Sequence, residues 1–155
     1  MRPAGFALRP DRRPGNSRGD ESAEFVCFFS AFTHLSHEET WRYILESKRV
    51  LKPRGKIVCS FLEFRIRSHW AIFREDVRDL SPNKVLNQFI GRDAFRAFAF
   101  NAGLAIETFF DGDQPHILIA TELMFENGRR VSGMDSLGQS VCVMQKPLRP
   151  VPLPS

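Results

Sequence analysis

At 155 residues the chain suits one domain with a sizeable core. Its apolar share of 43% is ordinary for a soluble globular protein, and its longest apolar run, Phe25 to Phe32, is interrupted by Ser30 and far too short to span a bilayer. The formal charge of +4 sits on the ends, since residues 1–22 carry five Arg against three acids and residues 146–155 add Lys146 and Arg149; the centre nets zero, which argues against a nucleic-acid partner.

Residues 1–22 are rich in Arg, Pro and Gly and show no helical or strand period, so they read as a disordered segment. Phe25 to Ser30 is a continuous apolar run, as expected of a strand covered on both faces. Ser36-His37-Glu38-Glu39 is a capping box, with a helix expected to about Leu51. Trp41, Ile44, Leu45 and Leu51 fall near one face of that helix, and Pro53 and Gly55 are expected to end it. Lys56 to Phe61 is a second apolar strand. Strand, helix and strand make a βαβ unit with parallel strands. Residues 62–90 mix aromatic and basic character and suit a short helix or a lid, with a turn at Ser81-Pro82-Asn83.

From Arg92 to Ala102 the apolar residues Phe95, Phe98, Ala99 and Ala102 recur at helical spacing, and Gly103 supplies a left-handed cap. Leu104 to Phe110 is a third strand, followed by a loop over residues 111–115. Ile117 to Phe125 and Arg129 to Val131 form a hairpin, with Asn127-Gly128 favouring a type I′ turn. Ser140 to Gln145 is the last strand. The Pro-rich residues 147–155 make an extended tail, because Pro lacks the N–H donor. The chain therefore reads as α/β, with one folded unit over residues 23–146. Cys27, Cys59 and Cys142 lie in separate apolar runs without metal-ligand spacing. They read as small buried residues in a reducing cytoplasm, with no metal.

Two stretches carry a family resemblance. Ser30-Ala31-Phe32-Thr33-His34-Leu35 closes an apolar strand, and Arg49-Val50-Leu51-Lys52-Pro53-Arg54-Gly55-Lys56 leads into the next. This resembles the class I S-adenosylmethionine-dependent methyltransferases, in the group that includes ubiquinone- and menaquinone-biosynthesis enzymes. There an "R-V-L-K-P-G-G" text precedes a strand; here Arg54 stands in place of the first Gly, and Arg tolerates positive φ poorly. The resemblance covers about residues 22–145 and implies the fourth to seventh strands of a Rossmann-like sheet, a parallel βαβ unit followed by a helix and antiparallel strands. The glycine-rich cofactor turn and the ribose-binding acid are missing, and no G-x-G pattern occurs in the chain. The expectation is thus a truncated, C-terminal part of a methyltransferase for a small-molecule acceptor. Residues 1–22 would be an unrelated or shifted reading, or the chain a short protein that lost catalysis.

The resemblance also places a site. Ser30, Ala31, Phe32 and Thr33 would line the methionine side of S-adenosylmethionine, and His34 would face the acceptor as a base suited to neutral pH. His34 could instead cap the following helix or pack in the loop. Phe61, Glu63 and Phe64 would border the acceptor pocket, with Glu63 either orienting a hydroxyl or amine or standing solvated. His69 and Trp70 would belong to a lid, or Trp70 would simply pack. Asp111, Asp113 and His116 read better as a polar turn than as ligands. The alternative function is a non-catalytic interaction module, a homodimer formed through an exposed sheet edge along Phe25 to Phe32.

Overall fold

The computed structural model describes residues 18–149. In chain order they form β1 (Arg18–Glu21), β2 (Ala23–Phe28), a 3-10 turn (Phe32–His34), α1 (His37–Val50), β3 (Leu51–Phe61), α2 (Arg67–Arg78), α3 (Arg92–Ala102), β4 (Ala105–Phe110), β5 (Ile117–Met124), β6 (Arg130–Asp135) and β7 (Ser140–Gln145). The disorder expected over residues 1–22 falls outside the described residues as far as position 17, and so does most of the Pro-rich tail. The last part of the N-terminal segment forms β1. This strand is tied down by the Ser22 N–H, which donates to the Val50 carbonyl at 2.8 Å, and by ion pairs of Asp20 with Arg49 and Glu21 with Lys146.

The capping box forms as read. The Glu39 N–H donates to Ser36 Oγ at 3.2 Å, and the Ser36 N–H donates to the Glu39 carboxylate at 3.0 Å. α1 stops at Val50, and β3 already starts at Leu51, so Pro53 and Gly55 lie inside a strand and not at a helix end. The register explains how: Ala23 pairs with Leu51 but Phe25 pairs with Lys56, so the intervening residues bulge out. A bulge accepts a Pro that has no ladder bond to give. Gly55 is required there, since a Cβ would lie 2.8 Å from the Lys52 carbonyl oxygen.

Arg54 takes up the strain of this bulge with φ of 67°. Its N–H donates to the Lys146 carbonyl at 2.8 Å, so the conformation is held by β7's continuation. A left-handed L-residue costs about 1–2 kcal/mol, part of which glycine would return as unfolded-state entropy. Arg54→Gly should therefore raise stability by roughly 0.5–1 kcal/mol, read as a higher urea midpoint at unchanged slope. A lower midpoint would show that the Arg54 side chain contributes more than its backbone costs.

The main sheet has the order β2-β3-β7-β4. β2 and β3 are parallel, and β7 runs antiparallel between β3 and β4. α3 runs over the range expected from its periodicity, and Gly103 caps it with φ of 65°. α1 and α3 pack together on one sheet face, where Ile44, Ile57, Cys59, Phe61, Phe95, Ala99, Cys142 and Met144 form the core. The opposite face differs from expectation. β2 alternates: Val26 and Phe28 pack toward the core, whereas Phe25 is 61% exposed, Phe29 64%, and Cys27 is exposed too. Among the described residues no helix covers that face, so β2 is buried on one side only. Cys59 and Cys142 are buried as read and stand opposite each other across β3 and β7, as free thiols. Burial pushes the Cys59 thiol pKa well up.

The β5–β6 hairpin is a separate two-stranded sheet. Its turn is not type I′: only Gly128, at φ of 80°, is left-handed, and its N–H donates to the Phe125 carbonyl at 2.9 Å. The Asn127 side chain instead accepts from the Arg129 N–H at 3.0 Å, which stabilises the turn without positive φ at Asn127.

Candidate functional site at the strand ends

In α/β sheets ligands collect beyond the carboxyl ends of the parallel strands. Here that end gathers the turn after β2, the loop after β3, the loop after β4 and the approach to β7. The turn after β2 is held by its own polar groups. Ser30 is left-handed, with φ of 55°. Its N–H donates to Ser60 Oγ at 2.8 Å, and its Oγ accepts from Gln139 Nε2 at 3.0 Å. Ser60 Oγ in turn donates to Gln139 Oε1 at 2.6 Å. Thr33 is buried, with Oγ1 donating to the Ser30 carbonyl at 2.9 Å. Phe32 is fully buried and stacks on Phe28 and Phe95 at 4.6 and 6.4 Å.

His34 is exposed at the end of this turn, and its Nδ1 lies 2.7 Å from the Leu86 carbonyl oxygen. A carbonyl can only accept, so Nδ1 carries the proton and the neutral ring presents Nε2 as a lone pair. The Gln88 N–H donates to the Thr33 carbonyl at 2.7 Å, docking the segment before α3 onto the same turn.

A buried polar network occupies the ends of β3 and β4. Glu63 is only 2% exposed. Arg92, in the first turn of α3, grips it with Nε at 3.0 Å and a terminal nitrogen at 2.8 Å, and Ser140 Oγ donates to it at 2.6 Å. The same guanidinium bonds Asp111, whose carboxyl it holds below the usual carboxylate range. It also lies 5.1 Å from the Phe109 ring centre. His69 is fully buried: its Nδ1 accepts from the Glu63 N–H at 3.0 Å, so Nε2 donates to the Gly138 carbonyl at 2.9 Å. Gly112 passes so close that a Cβ would lie 2.8 Å from His69 Nε2.

These contacts sort the sequence-derived site. Ser30, Ala31, Phe32, Thr33 and His34 are together on one turn. Phe61, Glu63 and His69 are not available as substrate contacts: Phe61 belongs to the core, and the polar atoms of Glu63 and His69 are spent inside the protein. Phe64 and Trp70 are half exposed, with ring centres 6.0 Å apart. With Phe73 and Phe89 they form an aromatic group, Phe64 stacking on Phe89 at 5.0 Å. Sequence reasoning missed Arg92, Gln139 and Ser140, which no spacing links to Glu63 or Ser30. It read Asp111 correctly as part of a polar loop without finding its partner.

A cavity of about 580 Å³ lies between the β5–β6 hairpin and the open sheet face. Val58, Val141, Val143 and Phe110 line its sheet side, Ile117 and Leu118 its hairpin side, and Ser30, Ser60 and Gln139 its polar end. Of the residues weighed from the sequence, Ser30 and His116 reach it. The Ser30 N–H and carbonyl and the Ala31 carbonyl are already bonded within the protein, and the sequence has no G-x-G pattern. Among the described residues no helix is long and apolar enough to cross a membrane, and no three His, Cys, Asp or Glu side chains are grouped to hold a metal.

No protein-family model and no curated protein matches the sequence. Solved structures do match. A SAM-dependent methyltransferase of Methanosarcina mazei shares 16% identity over 87% of this chain and 64% of its own, with a TM-score of 0.54. One of Thermotoga maritima, described as a possible histamine N-methyltransferase, shares 14% over 85% of this chain and 60% of its own, with a TM-score of 0.52. A Haloferax volcanii complex of a methyltransferase-type chain with the Trm112 methyltransferase activator matches at 18% over 88% of this chain and 58% of that one, with a TM-score of 0.52. The chain thus spans less than two thirds of the length of each of these structures. The parallel β2–β3 pair, the antiparallel β7 inserted beside β4, and these matches together show that the chain carries the class I S-adenosylmethionine-dependent methyltransferase fold over that part of its extent.

Proposed function

We propose that this chain is the acceptor-side part of an S-adenosylmethionine-dependent methyltransferase acting on a small molecule, of the group whose "R-V-L-K-P" text it shares. The observation that carries the reading is the turn Ser30–His34 at the carboxyl end of β2, in a sheet of the methyltransferase order. Ser30, Ala31, Phe32 and Thr33 would face the cofactor by their backbone, since the Phe32 and Thr33 side chains point into the protein. His34 is the base in this reading: its Nδ1 proton is committed to the Leu86 carbonyl, which leaves Nε2 to receive the proton of an acceptor hydroxyl or amine. Phe64 and Trp70, packed edge to face, supply an apolar wall. Glu63 and His69 act one step back, positioning the loop after β3. The three free thiols suit a reducing compartment, and the proposal places the chain in the cytoplasm.

Because the site is one-sided, the chain by itself should bind S-adenosylhomocysteine weakly, with a dissociation constant above about 1 mM. Amide shifts in a nitrogen-15 titration should be confined to Ser30–His34 and their neighbours and should not saturate. Silence of those amides at the highest soluble ligand concentration would sink the reading. Tight, saturable binding would keep the function and overturn the one-sided site. A second reading, a non-catalytic module that associates through its sheet edge, is favoured by the exposed Phe25, Cys27 and Phe29 on β2 and just beyond it.

A further inference from the structure

We infer that the cavity under the β5–β6 hairpin is a binding site for an uncharged, largely apolar small molecule that carries a hydroxyl or N–H group. The inference concerns binding and does not depend on methyl transfer. The cavity's volume of about 580 Å³ falls within the span of small-molecule sites, about 300–1,000 Å³. Val58, Val141 and Val143 make its floor, and Val58 stands opposite Val143 across β3 and β7, the two inner strands of the sheet. Ile117 and Leu118 form the roof at the start of the hairpin. That end is pinned to Asp135, whose carbonyl accepts from the His116 N–H at 3.1 Å and whose carboxylate accepts from the Leu137 N–H at 2.8 Å. Floor and roof are thus both held by backbone bonds, and the space between them is formed before any ligand enters.

The lining sets the chemistry of the ligand. No Asp, Glu, Lys or Arg lines the cavity. An ion placed there would lose water and gain no counter-charge, so the ligand is uncharged. The sulfonium, ammonium and carboxylate of S-adenosylmethionine do not suit it, which makes the ligand a different molecule from the cofactor. The polar lining groups have unused capacity. Ser30 Oγ accepts from Gln139 Nε2, and among the described residues its own proton and the second amide proton of Gln139 have no acceptor. His116 is the sharper case. Its Nδ1 lies 2.8 Å from the Gln114 carbonyl oxygen, which can only accept, so Nε2 of the neutral ring is a lone pair. That atom is shielded from water and has no donor among the described residues. The ring is fixed by stacking on Phe110, another lining residue, at 5.2 Å. Buried acceptors are normally paired, and a hydroxyl or N–H on the ligand supplies the donor that the protein does not.

N-phenyl-1-naphthylamine is an uncharged probe with one N–H, and it fluoresces strongly only out of water. Titrated into the full chain, with the fold confirmed by circular dichroism, it should give a saturable rise with one site per chain and a dissociation constant below about 100 µM. Its sulfonated relative, 8-anilinonaphthalene-1-sulfonate, should bind at least about tenfold more weakly, because its charge meets no cation. Val58→Phe fills the floor and should weaken the probe at least about tenfold. Val58→Thr keeps the volume and adds a hydroxyl, and should weaken it about threefold even where the larger change disturbs folding. His116→Phe keeps the stack on Phe110 but removes Nε2, and should cost the probe about fivefold in affinity. The same variant should leave unchanged the binding of 1-phenoxynaphthalene, which has an ether oxygen in place of the N–H and is read by displacement of the probe. No saturable binding, a sulfonate that binds as tightly, an affinity indifferent to the Val58 variants that fold, or equal losses for both ligands in His116→Phe each overturns the inference.

Discussion

Arg92→Ala should cost about 3–5 kcal/mol of stability, the loss typical of removing one partner from a buried ion pair. The pair is bidentate, and Glu63 is almost wholly buried, so removing the guanidinium leaves a buried carboxylate without its cation. Ser140 would remain as a donor to one carboxylate oxygen, which places the effect within that range and not beyond it. Arg92→Lys keeps a charge but cannot span both carboxylates in a fixed fork, and should cost about half as much. The Glu63→Met, Arg92→Met double variant should recover much of the loss, because neither partner is then left buried and alone. Urea midpoints of the three variants measure this directly. If Arg92→Ala falls within about 1 kcal/mol of wild type, the network is solvated and the assignment is wrong.

The same cation sets a pH dependence. Hydrogen bonding to Arg92, its charge, and the charges of Arg65 and His116 lower the Asp111 pKa against a smaller opposing effect of burial. A carboxylate whose folded pKa is depressed contributes stability above its unfolded value, near pH 4, and loses it as the pH falls through the folded value. The largest share of that contribution, from Arg92, is absent in Arg92→Ala, so the gap between variant and wild type should narrow as the pH is lowered from about 5 to 2. A gap that stayed constant would mean Asp111 gains nothing from Arg92.

The network also shows where sequence reading stops. Local devices were legible: the Ser36–Glu39 box, the helical period of α3 and the Gly103 cap each lie within a dozen residues and act through backbone geometry. Glu63 finds Arg92 29 positions away and Ser140 77 positions away, and no period or spacing encodes such a meeting. The apolar run of β2 misled for a related reason. An unbroken apolar strand is the mark of a sheet covered twice, and Phe25, Cys27 and Phe29 are apolar although nothing among the described residues covers them. The pattern states what those side chains suit, not what the described residues supply. Arg54 is the converse case: the motif position asks for a glycine, and the bulge takes the conformation regardless, because Lys146 fixes it from both sides by bonding Arg54 and Gly55.

Phe95→Ala should cost about 3–5 kcal/mol, as large-to-small changes at fully buried aromatic sites do. Its ring is the joint between α3 and the candidate site. It meets Phe61 of β3 edge-on at 4.7 Å and Phe32 of the 3-10 turn at 6.4 Å, and it also contacts Phe98. Removing it leaves a cavity directly beneath the turn that carries Ser30 to His34. The surrounding elements can close that gap only by moving the turn, since β3 is held in the middle of the sheet by β2 and β7. The expected signature is therefore double: a lower urea midpoint, and faster hydrogen exchange at the Ala31–His34 amides than the global loss alone accounts for. Phe95→Leu refills much of the volume and should give a smaller loss with the turn's excess exchange largely suppressed. Should the alanine variant lose stability while those four amides exchange only at the globally unfolded rate, Phe95 supports the core but does not position the site, and His34 would owe its placement to the Leu86 and Gln88 contacts instead.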